Sequence, residues 1–295
     1  MIPPLRIALS GGSMLAAAHV GALEVLKERG HLKCVKEYLG ISAGALFAFC
    51  LCIGYSLSEL RALITVFNFT KIQNLEPEII FSFIESYGID DGANIEKLLS
   101  VLLRAKGLSP EITFQEFSEK FPEQPAPRIF ATEVFTRSLK EFSSKLTPSS
   151  TLKFAVRASV SIPIIFTPVE DLSGSLYVDA CVITNFPFHI LTDEEKEKTI
   201  GITFYRGDLE NPPVKITNVF EYIQRLYSSA YYHQEERLYK KWSRQIIAIN
   251  TNKSSPFNFE ASSEEKEGLM DAGRKSAEEF LRVKFIKPVR RYSMP

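Results

Sequence analysis

The sequence predicts an α/β fold, and three observations carry that prediction. A short apolar run, Leu5–Leu9, opens through Ser10-Gly11-Gly12-Ser13 into a stretch with Ala18, Ala22, Val25 and Leu26 at helical spacing. A second apolar run from Glu37 ends in Gly40-Ile41-Ser42-Ala43-Gly44 and continues as the helix-like Ala45-Leu46-Phe47-Ala48-Phe49. A third, Ser175–Val178, ends on Asp179. Acidic residues at the carboxyl ends of strands are where α/β sheets keep their active sites.

The chain of 295 residues is long enough for one large α/β domain or two small ones and has ample apolar content for a core. Lys+Arg and Asp+Glu both number 35, so no net field draws it to nucleic acid or an anionic surface. The longest apolar stretch, Ala43–Ile53, is too short to span a bilayer. Met1-Ile2-Pro3-Pro4 lacks the charged flank and long apolar core of a secretory leader. Cys34, Cys50, Cys52 and Cys181 show neither C-x-x-C nor a His-paired metal spacing. They read as reduced residues of a cytoplasmic protein with no metal and no organic cofactor.

In chain order, Leu5–Leu9 is a buried first strand and Ala16–Lys27 the helix after it. Glu37–Ile41 is a strand, and the helix that follows runs towards Gly54. Ser56 caps a helix over 56–67, and Ala93–Arg104 forms another after a turn at Tyr87–Gly92. Glu111–Pro127 reads as loop. Residues 55–127 together form an insertion over the sheet, either a cap near the site or a plain packing layer. Arg128–Phe135 and Leu139–Ser143 pair as two strands joined by a turn. Leu152–Ser161 is a helix stopped by Pro163. Thr199–Phe204 and Gln245–Asn250 are further strands. Ile216–Trp242 is a long aromatic helix that packs on the sheet in preference to a membrane interface. Ser262–Val283 starts with Ser-x-x-Glu, and a basic end (Lys284, Lys287, Arg290, Arg291) follows, read as a solvated tail in preference to a weak membrane attachment. No repeat or linker divides residues 1–295, so one domain is expected.

Gly-rich strand-to-helix turns can hold a negative oxygen on free amides, although glycines also serve merely to turn the chain. The first turn matches neither the dinucleotide nor the P-loop spacing. G-x-S-x-G between a strand and a helix is the context of a nucleophile elbow, which would make Ser42 a nucleophile. A serine nucleophile needs a base. His189 and His233 follow Asp179 in a Ser-Asp-His order, but neither has a recognisable loop setting. His19, among alanines, reads as a structural histidine. The more economical scheme has Asp179 itself take the proton.

Four ordered blocks resemble the patatin-like lipid acyl hydrolases. They are Ser10-Gly11-Gly12 with His19-x-Gly21; Gly40-Ile41-Ser42-Ala43-Gly44; Arg157-Ala158-Ser159-Val160-Ser161-Ile162-Pro163 with Phe166-x-Pro168-Val169; and Asp179-Ala180-Cys181 with Asn185-Phe186-Pro187. They fall within residues 5–205. Residues 206–295 resemble the family only in their helix-strand-helix layout. The resemblance implies a three-layer α/β/α sandwich with a mostly parallel central sheet. It implies a Ser42–Asp179 dyad without histidine and an oxyanion hole from the amides of Gly11, Gly12 and Ser13. It also implies a lipid substrate met peripherally at membranes.

The first block departs from the family's G-G-G-x-R/K-G, because Ser13, Leu15 and Ala16 replace a glycine, a basic residue and a glycine. Ser13 prefers negative φ, so the loop must avoid the left-handed region there or carry strain. Leu15 removes a charge that could meet a lipid phosphate, which predicts weaker activity on anionic phospholipids. The expected function is a phospholipase A-type acyl hydrolase working through an acyl-enzyme. The alternative is a weakly active relative that binds lipid or a partner through the same cleft. Head group, acyl-chain preference and oligomeric state are not legible in the sequence.

Overall fold

In the computed structural model of the chain, residues 3–72, 83–205, 216, 219–251, 254–256 and 258–285 are described. The first half runs β1 (Arg6–Leu9), α1 (Ala17–Glu28), β2 (Glu37–Ile41), α2 (Ala43–Cys52), α3 (Leu57–Val66), α4 (Phe83–Ser86), β3 (Gly88–Asp90), α5 (Ala93–Ala105) and α6 (Phe114–Lys120). It continues through β4 (Ala126–Glu133), β5 (Ser138–Phe142), α7 (Leu152–Ser159), β6 (Ile164–Phe166), β7 (Val169–Glu170) and β8 (Leu176–Asp179). The remainder is α8 (Asp193–Glu197), β9 (Thr199–Tyr205), α9 (Val219–Trp242), β10 (Ile246–Asn250) and α10 (Ser263–Phe285).

The sheet order is β10-β9-β1-β2-β4-β8-β7, with β5 also on β4. The strands from β10 to β4 pair in parallel, whereas β5, β7 and β8 are antiparallel. A strand buried on both faces sends alternate side chains into two cores. Ile7 and Leu9 join the core under α1, α2 and α3, while Ala8, Leu39 and Ile41 face the opposite core with Phe186, Phe188 and Trp242. Helices therefore cover both sides of a mostly parallel central sheet, the three-layer arrangement that the resemblance implies.

The caps behave as their sequences dictate. Ser56 and Glu59 close a capping box on α3, and Ser262 and Glu265 exchange the same pair of bonds before α10. The loop expected over 111–127 holds α6 instead. Its signal was present: Thr113 and Glu116 form a capping box, and Phe114 and Phe117 bury one face. Residues 126 and 127 already belong to β4, so the insertion ends earlier than the sequence suggested. The short β3 and β6 pair with each other away from the main sheet. On α9, Leu238 and Trp242 are buried, and Trp242 meets Phe188 edge-on at 6.1 Å, while Tyr222 and Tyr239 are exposed. That end of the helix is a packed one. The tail residues Lys287, Arg290 and Arg291 lie outside the described residues. Among the described residues, no helix is long and apolar enough to cross a membrane.

Candidate active site

The strand register brings Ser42 and Asp179 together. Ile129 and Phe130 of β4 pair with β2 on one edge and β5 on the other, while Ala131–Glu133 pair with β5 and β8. β2 and β8 therefore meet end to end along the same edge of β4. Ile41 stands opposite Phe130 and Asp179 opposite Ala131, the next rung. Ser42 leaves β2 at that junction and starts α2.

Ser42 has φ 54° and ψ −128°, a conformation that costs a non-glycine residue about 1–3 kcal/mol. The surroundings hold it there. A Cβ on Gly44 would lie 2.4 Å from the Leu9 carbonyl oxygen, so only glycine lets α2 start this close to β1. The Ser42 N–H donates to Ser159 Oγ at 2.9 Å, and that hydroxyl donates to the Phe130 carbonyl at 2.6 Å. Ser159 thus fills the gap in the ladder where β2 turns away. Two residues on, the Ser161 carbonyl accepts the Asp179 N–H at 2.8 Å. Each serine of the S-x-S-x-P block therefore fixes one member of the pair. The sequence marked this block but not this division of labour.

Asp179 is fully buried. Its Oδ1 accepts the Cys181 N–H at 2.9 Å. Its Oδ2 has no hydrogen-bond partner, although the Ser42 side chain lies close enough to favour the ionised carboxyl. Burial pushes the carboxyl up to about 6, and the Ser42 and Cys181 contacts offset only part of that. No histidine figures among the groups acting on it. His19 places Nε2 3.0 Å from the Ser10 carbonyl and packs against Phe204, and burial holds it neutral with a pKa lowered to about 4. His233 is exposed beside Glu236.

The glycine-rich loop lies against Ser42, since a Cβ on Gly11 would come within 3.0 Å of the Ser42 Cβ. Of the three donors expected for an oxyanion hole, the Gly11 N–H is engaged with the Asn185 carbonyl at 2.9 Å. The Asn185 side chain returns a bond to the Gly11 carbonyl at 3.1 Å, so Asn185 braces the loop from both sides. The amides of Gly12 and Ser13 make no hydrogen bond among the described residues. Ser13 adopts φ 49°, so the loop carries strain there. Leu15 is 2% exposed and belongs to the core. Glu235 on α9, unmarked in the sequence, stands by the Asn185 backbone, where burial pushes its carboxyl up to about 7.

Beside the loop opens an apolar cavity that is partly open to solvent. Its walls include Ser13, Ala43 and Leu46, Cys50 farther along α2, Leu60 from α3 and Leu102 from α5. α3 and α5 are therefore walls of this cavity, which gives the inserted segment a place in the site.

A family model described as Patatin-like phospholipase matches residues 7–192. A Bacillus subtilis (strain 168) protein named "Uncharacterized protein YqhO" is 28% identical over 290 residues, which cover 92% of this chain and 96% of that protein. The "Probable lipid hydrolase 463L" of Invertebrate iridescent virus 6 is 30% identical over 195 residues, 65% of this chain and 64% of the relative. Among solved structures, VipD from Legionella pneumophila matches with a TM-score of 0.61 at 17% identity, covering 95% of this chain and 67% of that one. At that identity the likeness speaks for the fold.

Proposed function

Because the chain belongs to the patatin-like phospholipase family, we propose that it hydrolyses fatty-acyl esters of lipids with Ser42 as nucleophile and Asp179 as base. The observation that carries this is the unpartnered Asp179 Oδ2 one rung of β4 from the strained Ser42 elbow. Ser42 Oγ attacks the ester carbonyl while its proton passes to Asp179 Oδ2. The amides of Gly12 and Ser13 and the N-terminal end of α2 face the oxyanion, and each such donor is worth about a hundred- to a thousandfold in rate. The alcohol departs with a proton from Asp179. Water, deprotonated by the same carboxylate, then releases the fatty acid. The apolar cavity takes the acyl chain, and the substrate is met at a lipid surface that the protein visits peripherally.

The test is fatty-acid release from vesicles of mixed phospholipid and neutral lipid by wild type, Ser42→Ala and Asp179→Ala. Both variants should lose about a thousandfold or more. No release by wild type, with equal vesicle binding by all three proteins, would replace the hydrolase with a lipid-binding module.

A further inference from the structure

The shape of the cavity, taken with the hydrolase reading, points to a limit on acyl length. We propose that the chain selects acyl groups of about eight to ten carbons, with Cys50, Leu60 and Leu102 as the floor that stops longer ones.

The length follows from α2. Ala43, Leu46, Phe47 and Cys50 line the cavity at i, i+3, i+4 and i+7, a single stripe along that helix. The cavity therefore follows α2 for seven residues, about 10 Å from the residue next to Ser42. An extended chain advances about 1.2 Å per bond, so about nine bonds fit along the stripe.

The two ends differ in closure. Ser13, Ala43 and Leu46 are half-buried, and that end opens beside the nucleophile. At the far end Cys50, Leu60 and Leu102 are at most 5% exposed. The floor is also backed by polar groups. The Tyr55 hydroxyl donates to the Leu102 carbonyl at 3.1 Å, and the Lys106 ammonium lies 4.3 Å above the Tyr55 ring. A methyl group pushed past Leu102 would have to break that hydrogen bond and desolvate a cation without replacing either contact. Burial pushes the Cys50 thiol up to about 12, so the floor presents a neutral, apolar sulfur to the chain end.

The experiment is calorimetric binding of saturated fatty acids of increasing length, from four to sixteen carbons, to the Ser42→Ala protein, below their micelle concentrations. Affinity should rise about fourfold for each methylene that enters the cavity and flatten beyond eight to ten carbons. Leu102→Ala should move the break to longer acids by about two carbons. Leu46→Trp, which blocks the stripe partway, should move it to shorter ones. An affinity that climbs evenly through sixteen carbons, or a break that neither variant moves, overturns the proposal. Ester hydrolysis by wild type is scored in parallel. A break in binding without hydrolysis would sink the hydrolase reading and keep the cavity limit, and hydrolysis without a break would do the reverse.

Discussion

The junction of β2, β4 and β8 and the cavity between α2, α3 and α5 lie side by side, yet opposite physics holds them. At the junction, directional bonds fix the backbone on both sides: Ser42 through Ser159 and Asp179 through Ser161. Among the described residues, Asp179 Oδ2 and the amides of Gly12 and Ser13 are left unbonded there, and the chemistry would use them. In the cavity no directional bond positions the occupant; volume and apolar contact do. A buried polar network fails when one atom is removed, whereas an apolar wall is retuned by one. Errors at the junction should therefore abolish turnover, and errors in the wall should change which substrate turns over.

Asp179→Asn gives the largest expected contrast. Turnover should drop about a thousandfold or more, while the folded protein gains stability. The folded carboxyl is raised from 3.8 to about 6, so its ionised form is disfavoured by the fold. That penalty is absent below the unfolded value and complete above about pH 6, where it amounts to roughly 3 kcal/mol. Asparagine keeps the acceptor for the Cys181 amide and removes the charge. Denaturant unfolding at pH 3.5 and pH 7.5 should show a gain only at the higher pH, and equal effects at both would break the assignment. The wild-type rate should correspondingly fall on the acid side of about pH 6.

Next comes Ser159→Ala, which leaves the Ser42 N–H and the Phe130 carbonyl unpaired in a buried place. The expected cost is about 1–3 kcal/mol of stability. A nucleophile displaced by about 1 Å also loses about a hundredfold in kcat. KM for a short ester should stay within threefold, because the cavity is untouched. A KM effect as large as the kcat effect would show that the two regions are coupled. The smallest change is Ser13→Gly, which relieves φ 49° and should stabilise by about 1 kcal/mol, with turnover altered less than threefold. A tenfold loss of rate would show instead that the Ser13 side chain takes part.

Most of the site's polar residues were legible because they sit within local patterns. Gly40 to Gly44 can be read as an elbow from size alone, and Asp179 as a strand-end acid from the apolar run before it. The cavity was not legible, since its walls come from α2, α3 and α5 and its residues look like any core face. The three loop amides were legible as a group, but not their division, because the partner of Gly11 is Asn185, far along the chain. The burial of Leu15 was hidden for the same reason, since only packing between distant segments gives it.

The sequence by itself determined the α/β class, the order of most elements and the two strand ends that carry Ser42 and Asp179. These depend on side-chain periodicity, turn sterics and caps, all of which act within a few residues. Tertiary structure alone decided that β8 enters on the edge of β4 that β2 vacates, and so that Ser42 meets Asp179. It also decided that burial holds His19 neutral, and that an apolar cavity opens beside Ser42. Strand order, burial and empty volume are properties of contacts between segments distant in sequence, and no local pattern encodes them.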